Sequence, residues 1–326
     1  MSTVLVTGAT GLLGSALTRR LHLEGFDVRI LRRRTSKLDL LEDVVHDIEH
    51  AVGDITDAVG VAEAMEDVDR VYHAAARVAF GGRRERAQLL RVNVDGTATV
   101  VNAAVRMGVD RLLHVSSMAA FGRPERGEGV IDEQSEWQRS KANSSYSTSK
   151  YLAELEVRRG IAEGLDAVII NPALMFGTGR AGTNTRRLVD QVRSGRLPAL
   201  PSGATSVVDV LDVVEGALRA MEESRTGERY FLGSENLSWS AIISELAGAF
   251  DVSPPRFMLR PRPAMALAYV SEGLGRLTRS SPLITRETAR TASRSYRFCN
   301  AKARAELGWS PRPFSETAQR LAKEIG

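Results

Sequence analysis

Cysteine is almost missing from this sequence. Cys299 is the only one in 326 residues. No internal disulfide can form, so the fold must rest on its core and its hydrogen bonds. This usage suits a reducing compartment, and a cytoplasmic location is expected. Lysine is scarce as well, occurring only at Lys37, Lys141, Lys150, Lys302 and Lys323. The net charge of +4 is therefore carried by arginine spread along the chain, and no nucleic-acid surface is expected. Long apolar runs are lacking. Ala264–Val270 comes closest and falls well short of the ~18 residues a membrane span needs, so no membrane partner is expected. The run Val4–Val6 ends after three residues, at Thr7-Gly8, and has no basic leader, unlike a signal peptide. There is no internal repeat or low-complexity tract, and no metal site is expected.

What is present is ordinary for a globular enzyme: 43% hydrophobic and 26% charged residues. The length suits one large domain, or a domain with a smaller lobe. In the first half, strand-like runs alternate with helical patterns. The strand candidates are Thr3–Thr7, Asp27–Leu31, Ala51–Val52, Arg70–His73, Arg111–Ser116 and Asp166–Ile170. The helical ones are Leu12–Glu24, Ala58–Met65, Leu89–Met107 and Ser147–Glu163. Such alternation predicts an α/β, Rossmann-type doubly wound parallel sheet. A dinucleotide domain over residues 1–171 is expected, its sheet completed by 206–232. Residues 172–205 and 233–326 are expected to form a smaller, mainly helical substrate lobe, with Pro263–Leu277 as a cap.

Three stretches carry chemistry. The first is Val4-Leu5-Val6-Thr7-Gly8-Ala9-Thr10-Gly11-Leu12-Leu13-Gly14. Gly8 permits a tight turn, Gly11 lets backbone approach a pyrophosphate, and Gly14 lets the helix sit close. The helix N-terminus then offers free N–H groups to phosphate. The second is Tyr146-Ser147-Thr148-Ser149-Lys150, where a four-residue spacing puts the phenol and the ammonium on one helix face. A nearby ammonium is expected to lower the phenol pKa, so that Tyr146 can exchange a proton with an alcohol oxygen while hydride moves. The third is Ser116-Ser117, hydroxyls at a strand end that can bind a substrate carbonyl. At the end of the second strand, Leu31-Arg32-Arg33-Arg34 has no acid before Asp39. An acid there would bind a ribose 2′-OH, whereas arginine accommodates a 2′-phosphate. NADP is therefore expected over NAD, with Arg33 as the leading contact and Arg32 next.

Together with Asp54, His73-Ala74-Ala75, Asn93-Val94-Asp95-Gly96-Thr97 and Asn171-Pro172, these motifs resemble the extended short-chain dehydrogenase/reductase family. The likeness covers essentially the whole chain, including Lys302–Trp309. Val28–Arg33, Arg91–Thr97 and Asn171–Leu174 look most like its dihydroflavonol-4-reductase-like branch. The resemblance implies Ser117, five residues before Gly122, as the catalytic serine in preference to Ser116. It implies Tyr146 as acid/base and Lys150 as holder of the nicotinamide ribose. Further cofactor contacts are expected from Thr10, Leu12, Leu13, Asp54, Ile55, Ala74, Ala75, Ala76, Asn93, Asn171 and Pro172. Asn93 could order the site or only fix a helix. His73 is expected to pack at a strand end. A homodimer is an expectation from the resemblance alone.

Met118-Ala119-Ala120-Phe121 offers no carboxylate after Ser117, which argues against a dehydratase. Apolar candidates for the substrate pocket are Val78, Phe80, Met118 and Met175, with Phe121, Ala173 and Phe176 beside them. They suit a small carbonyl or alcohol substrate. The expected activity is thus NADP-dependent carbonyl reduction or the reverse. Arg83, Arg84, Arg180, Arg186 and Arg187 keep open a nucleotide-sugar epimerase. A non-catalytic NADP-binding sensor or assembly protein is a third reading.

Overall fold

A computed structural model describes residues 2–79, 83–122, 129–140, 143–255, 257–278, 289–290 and 292–326. Strand β1 (Thr3–Thr7) is buried on both faces, which is why its sequence is an unbroken apolar run. Gly8 then turns the chain with φ of +75°, a conformation that a side chain would strain. Helix α1 (Leu12–Leu23) packs back on the sheet through Leu13, Leu17 and Leu21, a stripe at four-residue spacing. Each such buried leucine contributes about 1.5–3 kcal/mol.

The pattern repeats through β2 (Asp27–Arg32), β3 (Glu49–Val52), α2 (Ala58–Ala64) and β4 (Arg70–His73). Helices α3 (Arg83–Leu90) and α4 (Gly96–Met107), strand β5 (Arg111–Val115) and helix α5 (Ser145–Ala162) follow. The main sheet has seven parallel strands, in the order Arg229–Leu232, Ala167–Pro172, β5, β4, β1, β2, β3. One face carries α1 and the helix Val210–Glu223, and the other carries α2, α4 and α5. This is the expected doubly wound arrangement.

Two expectations need correction. The single helix predicted over Leu89–Met107 is split by a π-helical turn at Arg91–Asp95. The segment 206–232 joins the main sheet only through Arg229–Leu232. Strand Ala204–Asp209 belongs instead to a separate three-stranded sheet with Leu174–Phe176 and Glu235–Ser238. That small sheet packs with the helices Asn184–Arg193, Trp239–Ala249 and Phe314–Ile325 around a second core that includes Phe176, Ile242, Leu246 and Phe314. The C-terminal region is largely helical, as expected. It is tied back to the main domain by Trp309, whose indole Nε1 donates to the Asp212 carbonyl at 2.8 Å. Arg312 on Asp212 and Arg320 on Asp209 reinforce the tie.

Candidate functional site

The glycine turn is built by backbone contacts. The Gly11 amide donates to the Gly8 carbonyl at 3.0 Å. A Cβ at Gly14 would come within 2.1 Å of that same oxygen, and one at Gly8 within 2.6 Å of the Ala75 amide nitrogen. Gly14 therefore secures contact between the helix and the turn itself, rather than with the sheet at large. Gly11 supplies the N-cap of α1 without a side-chain cap, so the first amides, those of Leu12 and Leu13, lie at an open helix start. Donors, glycine clearance and helix polarity there fit a pyrophosphate. The side chains beside this turn face elsewhere: Leu13 is core, and Leu12 packs on Gly177 and Gly179.

At the β2 end, the two arginines diverge. Arg32 donates from Nε to His50 Nδ1 at 2.8 Å, and His50 Nε2 meets the Val45 carbonyl at 2.9 Å. Arg33 is exposed on a turn closed by the Ser36 amide on its carbonyl at 2.9 Å. Asp54 Oδ1 accepts from the Thr56 amide and hydroxyl at 3.0 and 2.8 Å. Burial pushes the Asp54 carboxyl up, but these donors, helped by Arg33 and Arg91, outweigh it and hold the pKa below its ordinary value. Ile55 is core and packs on Gly96.

After β4, Ala74 and Ala75 are half-buried and Ala76 is exposed. The Thr7 carbonyl accepts the Ala74 amide at 3.1 Å. His73 sits beneath them, between Thr7 Oγ1 at 2.7 Å and Thr97 Oγ1 at 3.0 Å. Burial, with the Lys150 charge nearby, drives its pKa down to about 3. His73 is thus a neutral packing residue, as expected. Asn93 sits in the π turn and is fully enclosed. Its Oδ1 accepts the Arg77 amide at 2.7 Å, and its Nδ2 donates to the Arg77 carbonyl at 3.0 Å and Ser149 Oγ at 2.9 Å. It ties the chain after β4 to α5, and these bonds occupy the amide that was expected to meet a cofactor.

The predicted Tyr146, Lys150 and Ser117 come together where α5 crosses the end of β5. Ser144 caps α5, accepting the Ser147 amide at 2.8 Å. Tyr146 lies in the first turn of α5, near enough to Ser117 for that side chain to favour the phenolate. Ser117 Oγ also accepts the Ala119 amide at 3.2 Å, capping the 3-10 turn Met118–Phe121. The expected lowering of the phenol pKa does not occur. Burial raises it, and the lowering contact is Ser117. The Lys150 ammonium turns to the Val115 carbonyl at 2.8 Å. Burial lowers its pKa to about 8, opposed by the charge of Glu154.

The expected substrate residues are scattered. Val78 is 48% exposed, while Met118 and Met175 are half-buried against the core. Phe80 lies outside the described residues. Phe121, Ala173 and Phe176 are buried core side chains, which removes them as pocket lining. Arg180 pairs with Asp39 and Arg186 with Asp190. Arg84 and Arg187 are exposed. Asn171 and Pro172 end a main-sheet strand, both buried; Asn171 Nδ2 donates to the Ser117 carbonyl at 3.0 Å.

Two residues that the motifs did not flag sit behind this site. Glu154 accepts from Ser116 and Asn171, and it pairs with Arg229. Glu154 had a signal: it continues the spacing of Tyr146 and Lys150 by four. Arg229 had none, because its partner is distant in sequence.

The model of the NAD dependent epimerase/dehydratase family matches residues 4–233. The chain is 33% identical to sterol demethylase protein B of Methylococcus capsulatus over 95% of this chain and 94% of that protein. It is 30% identical to a Synechocystis sp. protein provisionally named a dihydroflavonol 4-reductase, over 98% and 92%. The crystal structure of gox2253 superposes with a TM-score of 0.83 at 32% identity, covering 100% of this chain and 99% of that one.

Proposed function

The chain belongs to the NAD-dependent epimerase/dehydratase family, and on that footing we propose that it is an NADP-dependent reductase of small organic carbonyl compounds. The observation that carries this reading is the placing of Tyr146 and the buried Lys150 one turn apart on α5, with the Ser117 side chain near enough to act on the phenol. Two hydroxyls close together at a strand end can hold one carbonyl oxygen between them. Because Ser117 Oγ already accepts the Ala119 amide, its own proton is directed away from that turn. Bound NADPH supplies the hydride. Tyr146 gives its proton to the oxygen as negative charge develops there. Burial keeps the phenol protonated at neutral pH, which suits an acid in the reductive direction. Lys150 is still mostly an ammonium at pH 7, a positive charge that favours the phenolate left when the proton has gone.

The cofactor preference rests on Arg33. Arg32 is occupied by His50, and Arg33 stands exposed with no ion pair to a carboxylate among the described residues. One observation weighs against a nucleotide-sugar substrate: Arg180 and Arg186 are committed to carboxylates of the protein itself. The turn after Ser117 carries no carboxylate, which weighs against a dehydratase. The reading is tested with a panel of ketones, aldehydes and alcohols, plus one nucleotide-sugar control, each with NADPH and NADH. Reduction with a lower KM for NADPH is expected, and a clear NADH preference would remove the role given to Arg33. Tyr146→Phe is expected to lower kcat by about a hundredfold or more. Undiminished turnover in that variant would overturn the mechanism.

A further inference from the structure

We propose that Glu154 is a positioning residue: its buried carboxylate locks the register between the helix that carries Tyr146 and Lys150 and the strand end that carries Ser117. The proposal rests on the reductase reading above. Glu154 is 1% exposed. Its Oε1 accepts the Ser116 hydroxyl at 2.5 Å and Asn171 Nδ2 at 2.6 Å. The same Asn171 nitrogen reaches the Ser117 carbonyl at 3.0 Å. Ser117 is thus held through its covalent neighbour Ser116, whose hydroxyl bonds Glu154, and through Asn171, which bonds both the Ser117 carbonyl and Glu154. The Ser116 and Asn171 bonds converge on one oxygen of Glu154.

The other oxygen, Oε2, lies 3.4 Å from Arg229 Nη1. Arg229 is fixed in turn by the Glu133 carbonyl, at 2.9 Å from Nε and 2.6 Å from Nη2, and by the face of Phe121 at 4.6 Å. A buried ion pair is a weak source of net stability, since desolvation offsets the attraction. Stability alone therefore does not account for a carboxylate at this place. Orientation does. Lys150 anchors α5 to the Val115 carbonyl, and Glu154 anchors it to the next residue, Ser116. Two successive turns of one helix grip the last residue of β5 and the residue that follows it. That fixes where Tyr146 stands relative to Ser117, and misplacement by about 1 Å can cost two orders of magnitude in rate.

The test is steady-state kinetics on the full chain with NADPH and the best carbonyl of the panel. Glu154→Ala is expected to lower kcat about tenfold to a hundredfold, with the KM for NADPH changed by less than about twofold. Glu154→Gln keeps an acceptor for Ser116 and Asn171 and is expected to recover most of kcat. A folded Glu154→Ala with kcat within about twofold of the parent overturns the proposal, as does Glu154→Gln no better than alanine. Should Glu154→Ala not fold, Ser116→Ala decides. It removes one anchor and leaves the ion pair, and an unchanged kcat there overturns the proposal. Tyr146→Phe separates the two readings. If it is inactive while the Glu154 variants are unaffected, only the positioning role falls; if it is fully active, the reductase reading falls and takes this role with it.

Discussion

His114 stands near Lys150, and the fold disfavours its charged form. Both ring nitrogens are buried and lack a hydrogen-bond partner among the described residues. Its ring lies 5.2 Å from that of His73. Burial first, then the charge of Lys150, drives its pKa well below 6.5. In the unfolded chain the imidazole regains its ordinary affinity for protons. Its contribution to stability is therefore complete above about pH 6.5 and is lost as the pH falls below that value. His114→Leu removes two unsatisfied nitrogens and the titration together. The variant is expected to be at least as stable as the parent at pH 7, by up to about 1 kcal/mol, and to lose less stability between pH 7 and pH 5. Urea midpoints at the two pH values measure this, and an equal acid loss in both proteins would refute it. The residue scale also shows what a motif can and cannot reveal. The spacing of Tyr146 and Lys150 was legible because it is local. The direction of the Tyr146 shift was not, because burial belongs to the tertiary structure.

At the scale of elements, β1 and β4 match their sequence expectation end to end, since a run buried on both faces and bounded by turns is a local signal. The π turn at Arg91–Asp95 is different. Helical periodicity continues through it, and the break is set by Asn93, whose partners sit at positions 77 and 149. Likewise, residues 206–232 read as completing the main sheet, but nothing local in Ala204–Asp209 says which sheet it joins. Asn93→Ala leaves the partly buried Arg77 amide and carbonyl without their side-chain partner. It is expected to cost about 2–3 kcal/mol of stability, read as a lower urea midpoint at unchanged slope. A loss below about 0.5 kcal/mol would mean that the turn is held by other contacts.

For the whole molecule, the C-terminal segment closes the structure. Trp309 is 2% exposed and wedged against the helix Val210–Glu223, and the ion pairs of Arg312 and Arg320 hold the segment that follows. Trp309→Ala is expected to lower stability by about 3–5 kcal/mol, through the cavity it leaves and the loss of its bond to Asp212. Thermal unfolding measures this, and a change of less than about 1 kcal/mol would show that the C-terminal clasp carries little.

The edge strand Arg229–Leu232 pairs with Ala167–Pro172 and delivers Arg229 to Glu154. On the ribosome, a nascent chain can contain the glycine turn, Ser117, Tyr146 and Lys150 long before that strand emerges. Until it does, the apolar strand Ala167–Pro172 presents an unpaired backbone edge, and Glu154 is a buried charge without its counterion. Synthesis thus passes through a stage at which every group proposed for catalysis exists and the carboxylate that positions them still lacks its arginine. A chain stopped before Arg229 would carry the complete set of motifs and be a client for chaperones instead of an enzyme.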